Sequence, residues 1–408
     1  MSVALTDPPP LLVTVRVYFC FSPGMSLPLD GFRVIDFTQV MMGPCATQML
    51  GDYGADVIKI ERPGNGDLSR TSYPDPAGLQ NPVFCSLNRN KRSIVLDLRD
   101  AEKKALLRRL IDGADAVVNN FRAGVMERMG FGYEELSGTN PGLIYAVGTG
   151  YGPDGPYAHK GGQDVLAQAM TGVMARQSDP DLPLSIYATA LADYSCGMHL
   201  VQGILLALLQ RQKTGRGQMV SVSLYDSMLA MQMQEGAMSL MRDHDLNWGA
   251  MPLSGVFATQ DGAVVLVGAF KTHPLRDISA ALGIADLSLD PRFGDHAAQV
   301  ENRRPLHAVF RERFASNTTD YWIARLEDRD LLCAPVKTMK AALADEQTRV
   351  NGMILEACGT DGAALRLIGS PIHMSAAEVR PRRPPPRLGE HTDEILSELG
   401  GDGRGAAA

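Results

Sequence analysis

Paired cysteines, clustered basic residues and metal-ligand spacings are all scarce in this 408-residue chain. The six cysteines, Cys20, Cys45, Cys85, Cys196, Cys333 and Cys358, are scattered and form no C-x-x-C pair. That argues against a zinc ribbon and a disulfide framework, and it fits a reducing cytoplasm. The eight histidines show no ligand spacing either, so no metal is expected. Lys and Arg number 39 against 46 Asp and Glu, for a net charge of −7. With no long basic run, nothing points to a nucleic-acid partner. Leu11 to Phe21 is apolar apart from Thr14 and Arg16, too short to cross a bilayer, and preceded by no Lys or Arg as a signal peptide would be. No membrane partner is expected. Three site signatures are missing where they would be looked for. The first strand runs into Thr38-Gln39-Val40-Met41-Met42-Gly43-Pro44 and not into G-x-G-x-x-G, so the pyrophosphate turn of a dinucleotide site is absent there. Gly148-Thr149-Gly150-Tyr151-Gly152 lacks the G-K-[ST] ending of a P-loop. No G-x-S-x-G occurs, which disfavours a serine hydrolase.

What is present is an ordinary globular composition, 45% hydrophobic and 21% charged, on a chain long enough for two domains. Phe32 to Phe37, Val57 to Ile60, Ser93 to Asp97, Ala116 to Val118 and Leu143 to Val147 read as strands. Pro44 to Tyr53, Asp100 to Ile111 (Asp100 as cap) and Gly124 to Met129 read as helices among them. Such alternation means crossover connections and a parallel sheet, so this half is a Rossmann-like α/β domain. Met219 to Leu224 is a further strand, and Asp226 to Met241 reads as one long helix whose methionines are core. A hairpin turning at Thr259 to Gly262 joins Val256-Phe257 to Val264 through Val267. Helices are expected near 273–282, 301–315 and 318–330, then an extended Pro381 to Pro386 and a short helix from Glu390 to Leu399. The expected organisation is a large domain from 27–227 and 331–399, a smaller α/β domain at 228–330, and extended or disordered ends at 1–26 and 400–408.

Asp193 is the residue to explain. It lies in Leu191-Ala192-Asp193, just before an apolar run with helical spacing that ends at Lys213-Thr214-Gly215-Arg216-Gly217-Gln218. By spacing alone it is a helix cap, whose carboxylate accepts an orphan N–H. The glycine-rich loop at 148–152 follows a strand, on the sheet edge where open α/β folds bind ligands.

An ordered set of short pieces adds a family signal. Leu29-Asp30-Gly31, Asp36-Phe37-Thr38, Gly43-Pro44 and Gly54-Ala55-Asp56-Val57-Ile58-Lys59-Ile60-Glu61-Arg62-Pro63 are followed by Gly66-Asp67, Asn90-Lys91-Arg92-Ser93 and Asn120-Phe121-Arg122-Ala123-Gly124. Then come Arg128-Met129-Gly130, Gly161-Gly162-Gln163-Asp164, the Lys213 to Gln218 segment and Leu388-Gly389-Glu390-His391-Thr392. Together, over roughly 27–399, they resemble the family III CoA-transferases, the CaiB/BaiF group, with the formyl-CoA:oxalate type as the nearest-looking branch. The resemblance implies a Rossmann-like large domain built from both chain ends, a small domain, and a homodimer of interlocked subunits. It implies that Asp193 is the catalytic residue. It places CoA contacts at Met41, Met42, Arg62, Leu96, Asp97, Leu98, Arg99, Asn120, Phe121, Arg122, Arg128, Gly161, Gly162, Gln163 and Asp164. The substrates would be an acyl-CoA and a small carboxylic acid, with no tightly bound cofactor. Arginine forks suit phosphates, which makes Arg62, Arg99, Arg122 and Arg128 chemically sensible.

Two departures qualify the branch. Met41 stands where oxalate-type members carry a polar side chain, and no glycine-rich loop occurs between Leu253 and Ser288. Both point away from oxalate, and apolar Met41 and Met42 point toward a less polar acyl group. The family also holds 2-methylacyl-CoA racemases, which need a His where this chain has Gln163. An amide carries no proton at neutral pH, so transfer is favoured over racemisation.

Overall fold

The computed structural model describes residues 26–73, 81–177, 182–268, 270–359, 362–377 and 380–401. Of the expected tails at 1–26 and 400–408, residues 1–25 and 402–408 lie outside the described residues, while 400 and 401 belong to the last helix. Six strands, β1 (Arg33–Asp36), β2 (Asp56–Glu61), β3 (Lys91–Val95), β4 (Ala116–Asn119), β5 (Ile144–Thr149) and β6 (Met219–Ser223), form one sheet in the order β3-β2-β1-β4-β5-β6. Every neighbouring pair in it is parallel. The helices along this part of the chain are α1 (Met42–Asp52), α2 (Pro82–Leu87), α3 (Ala101–Asp112), α4 (Val125–Met129), α5 (Tyr133–Thr139), α6 (Asp164–Met170), α7 (Leu191–Thr214) and α8 (Leu224–Met231). The inner strands β1, β2, β4 and β5 bury both faces, which is why they read as near-continuous apolar runs, whereas the edge strand β6 alternates and is partly exposed. Val34, Val57, Ala116, Val118 and Ala146 face Ala46 and Leu50 of α1, Leu200 and Ile204 of α7 and Met228 of α8. Ile35, Ile58, Val117 and Tyr145 face the other way, onto Leu107 and Ile111 of α3 and Leu136 of α5.

Beyond this domain come α9 (Met233–Arg242), β7 (Ser254–Ala258), β8 (Ala263–Val267), α10 (Pro274–Leu282), α11 (His296–Glu301), α12 (Arg303–Phe314), α13 (Thr319–Glu327) and β9 (Leu332–Pro335). β7, β8 and β9 make an antiparallel sheet with its own core of Phe257, Leu266, Phe310, Phe314 and Trp322. Phe257 stacks on Phe314 at 4.9 Å, and the Trp322 indole donates to the Phe314 carbonyl. The hairpin at Thr259 to Gly262 is as expected, but its sheet takes β9, which lies past residue 330. The pairing partner of a strand is a tertiary fact that local pattern does not carry.

The Met-rich segment also differs from expectation. It is two helices that meet at Gln232, whose side chain donates to the carbonyls of Thr171 and Met228. Met228 is core, but Met233 and Met241 are 71% and 68% exposed, because α9 leaves the large domain and buries none of its residues against this chain.

The chain then passes α14 (Met339–Leu343), α15 (Glu346–Val350) and the hairpin of β10 (Ile354–Cys358) with β11 (Ala364–Ile368), and returns to the large domain as α16 (Thr392–Gly401). α16 packs Ile395 into the sheet core and extends two residues past the expected end at Leu399. Asn90, at φ 60°, anchors the return: its Oδ1 accepts from the Arg382 and Arg383 backbones, and its N–H donates to the Arg383 carbonyl. Ser93 binds the Gly389 N–H through its hydroxyl and the His391 N–H through its carbonyl.

A charged web lies inside the large domain, under the loop after β1. Asp36 accepts from Lys91 Nζ at 3.1 Å, from Thr47 Oγ1 at 2.8 Å and from the Thr38 N–H at 2.8 Å. Lys59 Nζ reaches Asp67 at 2.7 Å and the Thr38 carbonyl at 2.7 Å. Asp67 in turn holds the N–H groups of Val40 and Ser69. Burial by itself would raise the Asp36 pKa, yet Lys91, then Lys59, hold its carboxyl below the usual range. An ion pair of this kind is costly to break from one side, because the remaining charge stays buried. Asp36→Ala should lower the unfolding free energy by about 3–5 kcal/mol, read from the urea midpoint at constant slope.

Candidate active site

The strand order reverses between β1 and β4, and ligands in open α/β sheets bind at the carboxyl edge beside such a point. Here the loops after β1 and β4 clasp each other. The Gln39 N–H donates to Asn120 Oδ1 at 2.9 Å, and Asn120 Nδ2 returns a bond to the Gln39 carbonyl at 2.8 Å. A cleft of about 550 Å³ opens at this edge, walled by Gln39 to Met42, Asn120 to Ala123, Gly148 to Gly150, Ala158, Lys160 to Val165, Leu68, Leu224 and Asp193.

Ten of the sixteen expected site residues meet there: Met41, Met42, Asn120, Phe121, Arg122, Gly161, Gly162, Gln163, Asp164 and Asp193. The other six do not line the cleft. The Leu96 side chain is core, and Leu98 packs on the same cluster. Asp97 is ion-paired with exposed Arg99 at 2.7 Å. Arg62 is exposed and donates to the Gly66 carbonyl, and the Arg128 guanidinium lies against Gly124. All the same, Arg62 directly follows β2, and 96–99 follow β3, on the same carboxyl edge as the cleft. Met42 belongs largely to the core, with its sulfur pressed on Gly148. Sequence reasoning passed over Gln39 and Lys160. Both lie beside segments that were singled out, but clasping and lining are properties of the fold and leave no residue pattern.

The two glycine-rich loops are packed on each other. A Cβ on Gly150 would lie 2.5 Å from Gly162 Cα, and one on Gly162 would lie 2.3 Å from Gly150 Cα. Only glycine at both positions lets these backbones touch, so the wall they form is already assembled. At the opposite lip Val40 has φ 68°, a strained value for a β-branched residue, held by its bond to Asp67.

Asp193 is not the cap of its helix. It stands in the first turn of α7, whose cap position is Ala190 with no side-chain bond. The cap comes from another helix. Asp164 Oδ2 accepts from the N–H of Ala192 at 2.7 Å and of Asp193 at 3.0 Å. The Leu191 N–H goes to the Thr189 carbonyl and that of Tyr194 to the Ala190 carbonyl. The first turn therefore has no spare N–H to offer an incoming oxyanion, contrary to what a cap would leave. The Asp193 carboxylate itself has no hydrogen-bond partner among the described residues. Burial, then the nearby Asp164 charge, raises it to about 6. Strong perturbation inside a cleft is a common mark of a working group.

Among the described residues no group of three or more His, Cys, Asp or Glu could hold a metal ion. A family model described as CoA-transferase family III matches residues 29–392. A succinyl-CoA:glutarate CoA-transferase of Mus musculus is 33% identical over 381 residues, covering 91% of this chain and 86% of the relative. A formyl-CoA:oxalate CoA-transferase of Escherichia coli is 34% identical over 402 residues, covering 92% and 96%. The crystal structure of a CaiB/BaiF family protein from Brucella suis superposes with a TM-score of 0.82 at 33% identity, covering 92% of this chain and all of that one.

The raised carboxylate has a thermodynamic consequence. A folded-state pKa of about 6 against an ordinary 3.8 means the folded chain keeps a proton that the unfolded chain releases. That stabilising contribution is complete below the unfolded value and is lost as pH rises through the folded one. Asp193→Asn should therefore melt at a higher temperature than the parent at pH 8, with the difference closing as pH falls toward 4.

Proposed function

The chain belongs to CoA-transferase family III, an enzyme family that uses CoA thioesters as substrates, and from this premise we propose that it moves CoA from an acyl-CoA to a free carboxylic acid with Asp193 as nucleophile. One observation carries the proposal. The cleft contains two carboxylates; that of Asp164 is committed to hydrogen bonds, while that of Asp193 is unbonded and half-buried. A carboxylate without hydrogen-bond donors is poorly stabilised as an anion and so is a better nucleophile once ionised.

The steps balance without an outside energy source. The Asp193 carboxylate attacks the thioester carbonyl, forming a mixed anhydride and expelling CoA thiolate. The thiolate attacks the Asp193 carbonyl, leaving an aspartyl-CoA thioester and releasing the donor acid with one aspartate oxygen. The acceptor carboxylate then attacks that thioester, and the thiolate finally takes the acceptor acyl group. Asp193 is regenerated carrying one acceptor oxygen. Free helix N–H groups play no part at the start of α7, since all of them are occupied. Arg122 and Lys160 are the cations of the cleft and suit the phosphates of CoA. Val40 and Met41 give it an apolar wall, which suits an acyl group less polar than oxalate. The racemase alternative finds no support, because Gln163 lines the cleft where a second proton carrier is needed.

The exposed apolar surface around α9, with Leu240 and Phe270 each 90% exposed, supports a homodimer in which a second copy covers this face. Equilibrium sedimentation should give a dimer; a monomer at micromolar concentration would count against it.

Two mass-spectrometric results test the chemistry. Acceptor acid labelled with heavy oxygen should leave one heavy atom on the peptide containing Asp193, and Asp193→Ala should lower transfer by at least about 10³-fold. Transfer that persists in Asp193→Ala would remove the nucleophile.

A further inference from the structure

The resemblance put Asp164 among the CoA contacts, but its hydrogen bonds go elsewhere. Its Oδ2 takes the two first-turn donors of α7, Ala192 and Asp193. Its Oδ1 accepts from Gln168 Nε2 at 2.5 Å, one turn further along α6. Gln168 is fully buried, accepts from the Tyr187 N–H and donates to the carbonyls of Tyr187 and Thr189. The Asp164–Gln168 pair therefore grips both the segment entering α7 and its first turn.

Resting on the reading of Asp193 as nucleophile, we infer that Asp164 is its positioning residue: it caps the nucleophile's helix from α6, fixing the Asp193 backbone while holding a second negative charge beside its carboxylate. The arrangement ties placement to reactivity. A neutral cap would satisfy the same N–H groups but would leave Asp193 a weaker base. A charge placed elsewhere would raise basicity without fixing the backbone.

The groups facing Asp193 leave Asp164 as the one that sets this charge balance. Cys45 approaches from α1, and Cys196 and Tyr194 lie on α7 itself. Burial pushes the thiols up to about 11 and about 12, so both are neutral where the enzyme works. Asp226 of α8 is bound to Ser223, and Arg122 and Lys160 line the cleft without lowering Asp193.

The test is a pH–rate series on three proteins, each with the kcat and KM for acyl-CoA. In the parent, transfer should rise with pH through about 6, as Asp193 ionises. Asp164→Asn keeps an acceptor oxygen for the two N–H groups and loses the charge. Its acid limb should move to lower pH, although burial still keeps it above an ordinary aspartate. Asp164→Ala loses the cap as well, and its plateau kcat should fall by about 10²-fold with KM for acyl-CoA within about threefold, as expected for a misplaced reacting group. If either variant instead raised KM with kcat and the acid limb unchanged, Asp164 would be a CoA contact and the inference would fall. Should Asp164→Ala unfold, the acid limb of Asp164→Asn decides alone. Asp193→Ala is run alongside: if it still turns over, the nucleophile reading fails; if it is inactive while Asp164→Asn keeps the parent profile, only the positioning role fails.

Discussion

The loop between β1 and α1 forms one lip of the cleft, and it is shaped from beneath by buried charge. Asp36 and Asp67 are carboxylates, Lys59 and Lys91 ammonium groups, and the side chains of both ion pairs are fully buried. Each charge is paired and further hydrogen-bonded to Thr38, Thr47, Asn88 or Ser69, which makes their burial tolerable. The carbonyl of Thr38 and the N–H of Val40 are both ligands of this web. The web therefore holds the backbone on both sides of Gln39, whose own backbone is clasped by Asn120. An apolar floor of equal volume would hold the sheet together but would have no reason to hold this loop in one conformation.

The same logic of paired burial is deliberately incomplete at Asp193. Every first-turn N–H of α7 is satisfied, yet the Asp193 side chain is given nothing. Its anion is destabilised by burial and by Asp164, and that lost stability is the source of its basicity. The folded state therefore disfavours ionisation of this one carboxylate, in contrast to the paired charges beneath the β1–α1 loop. The glycine pair at 150 and 162 does the complementary job of bringing two backbones together so that the wall facing it is preassembled.

Much of the fold was legible because parallel strands and their helices leave strong local periods. All six strands of the large sheet, the Asp100 cap and the hairpin at Thr259 to Gly262 lie within a few residues of where pattern placed them. The motif pieces that carried the resemblance prove to be mostly structural. Asp36, Lys59, Glu61, Asp67, Asn90 and Ser93 are buried and bonded to one another or to the returning chain end. Elements that depend on distant partners were missed: β9 joined to β8, the break at Gln232, and the β10–β11 hairpin. Short helices such as α5 and α6 were missed too, since one or two turns carry little periodicity.

The residues themselves determined that Asp193 stands at the start of a long apolar helix and that position 163 carries an amide, which is neither acid nor base at neutral pH. They did so because these are statements about residue type and local order. Only the tertiary structure decided which carboxylate caps that helix. Asp164 and Asp193 lie 29 positions apart, and spacing alone favoured Asp193 for the cap. Packing of α6 against α7 gave the cap to Asp164 instead, because a hydrogen bond is won by the acceptor that reaches the donor in space. That exchange left the Asp193 side chain without a hydrogen bond, and burial with the neighbouring Asp164 charge raises its pKa to about 6.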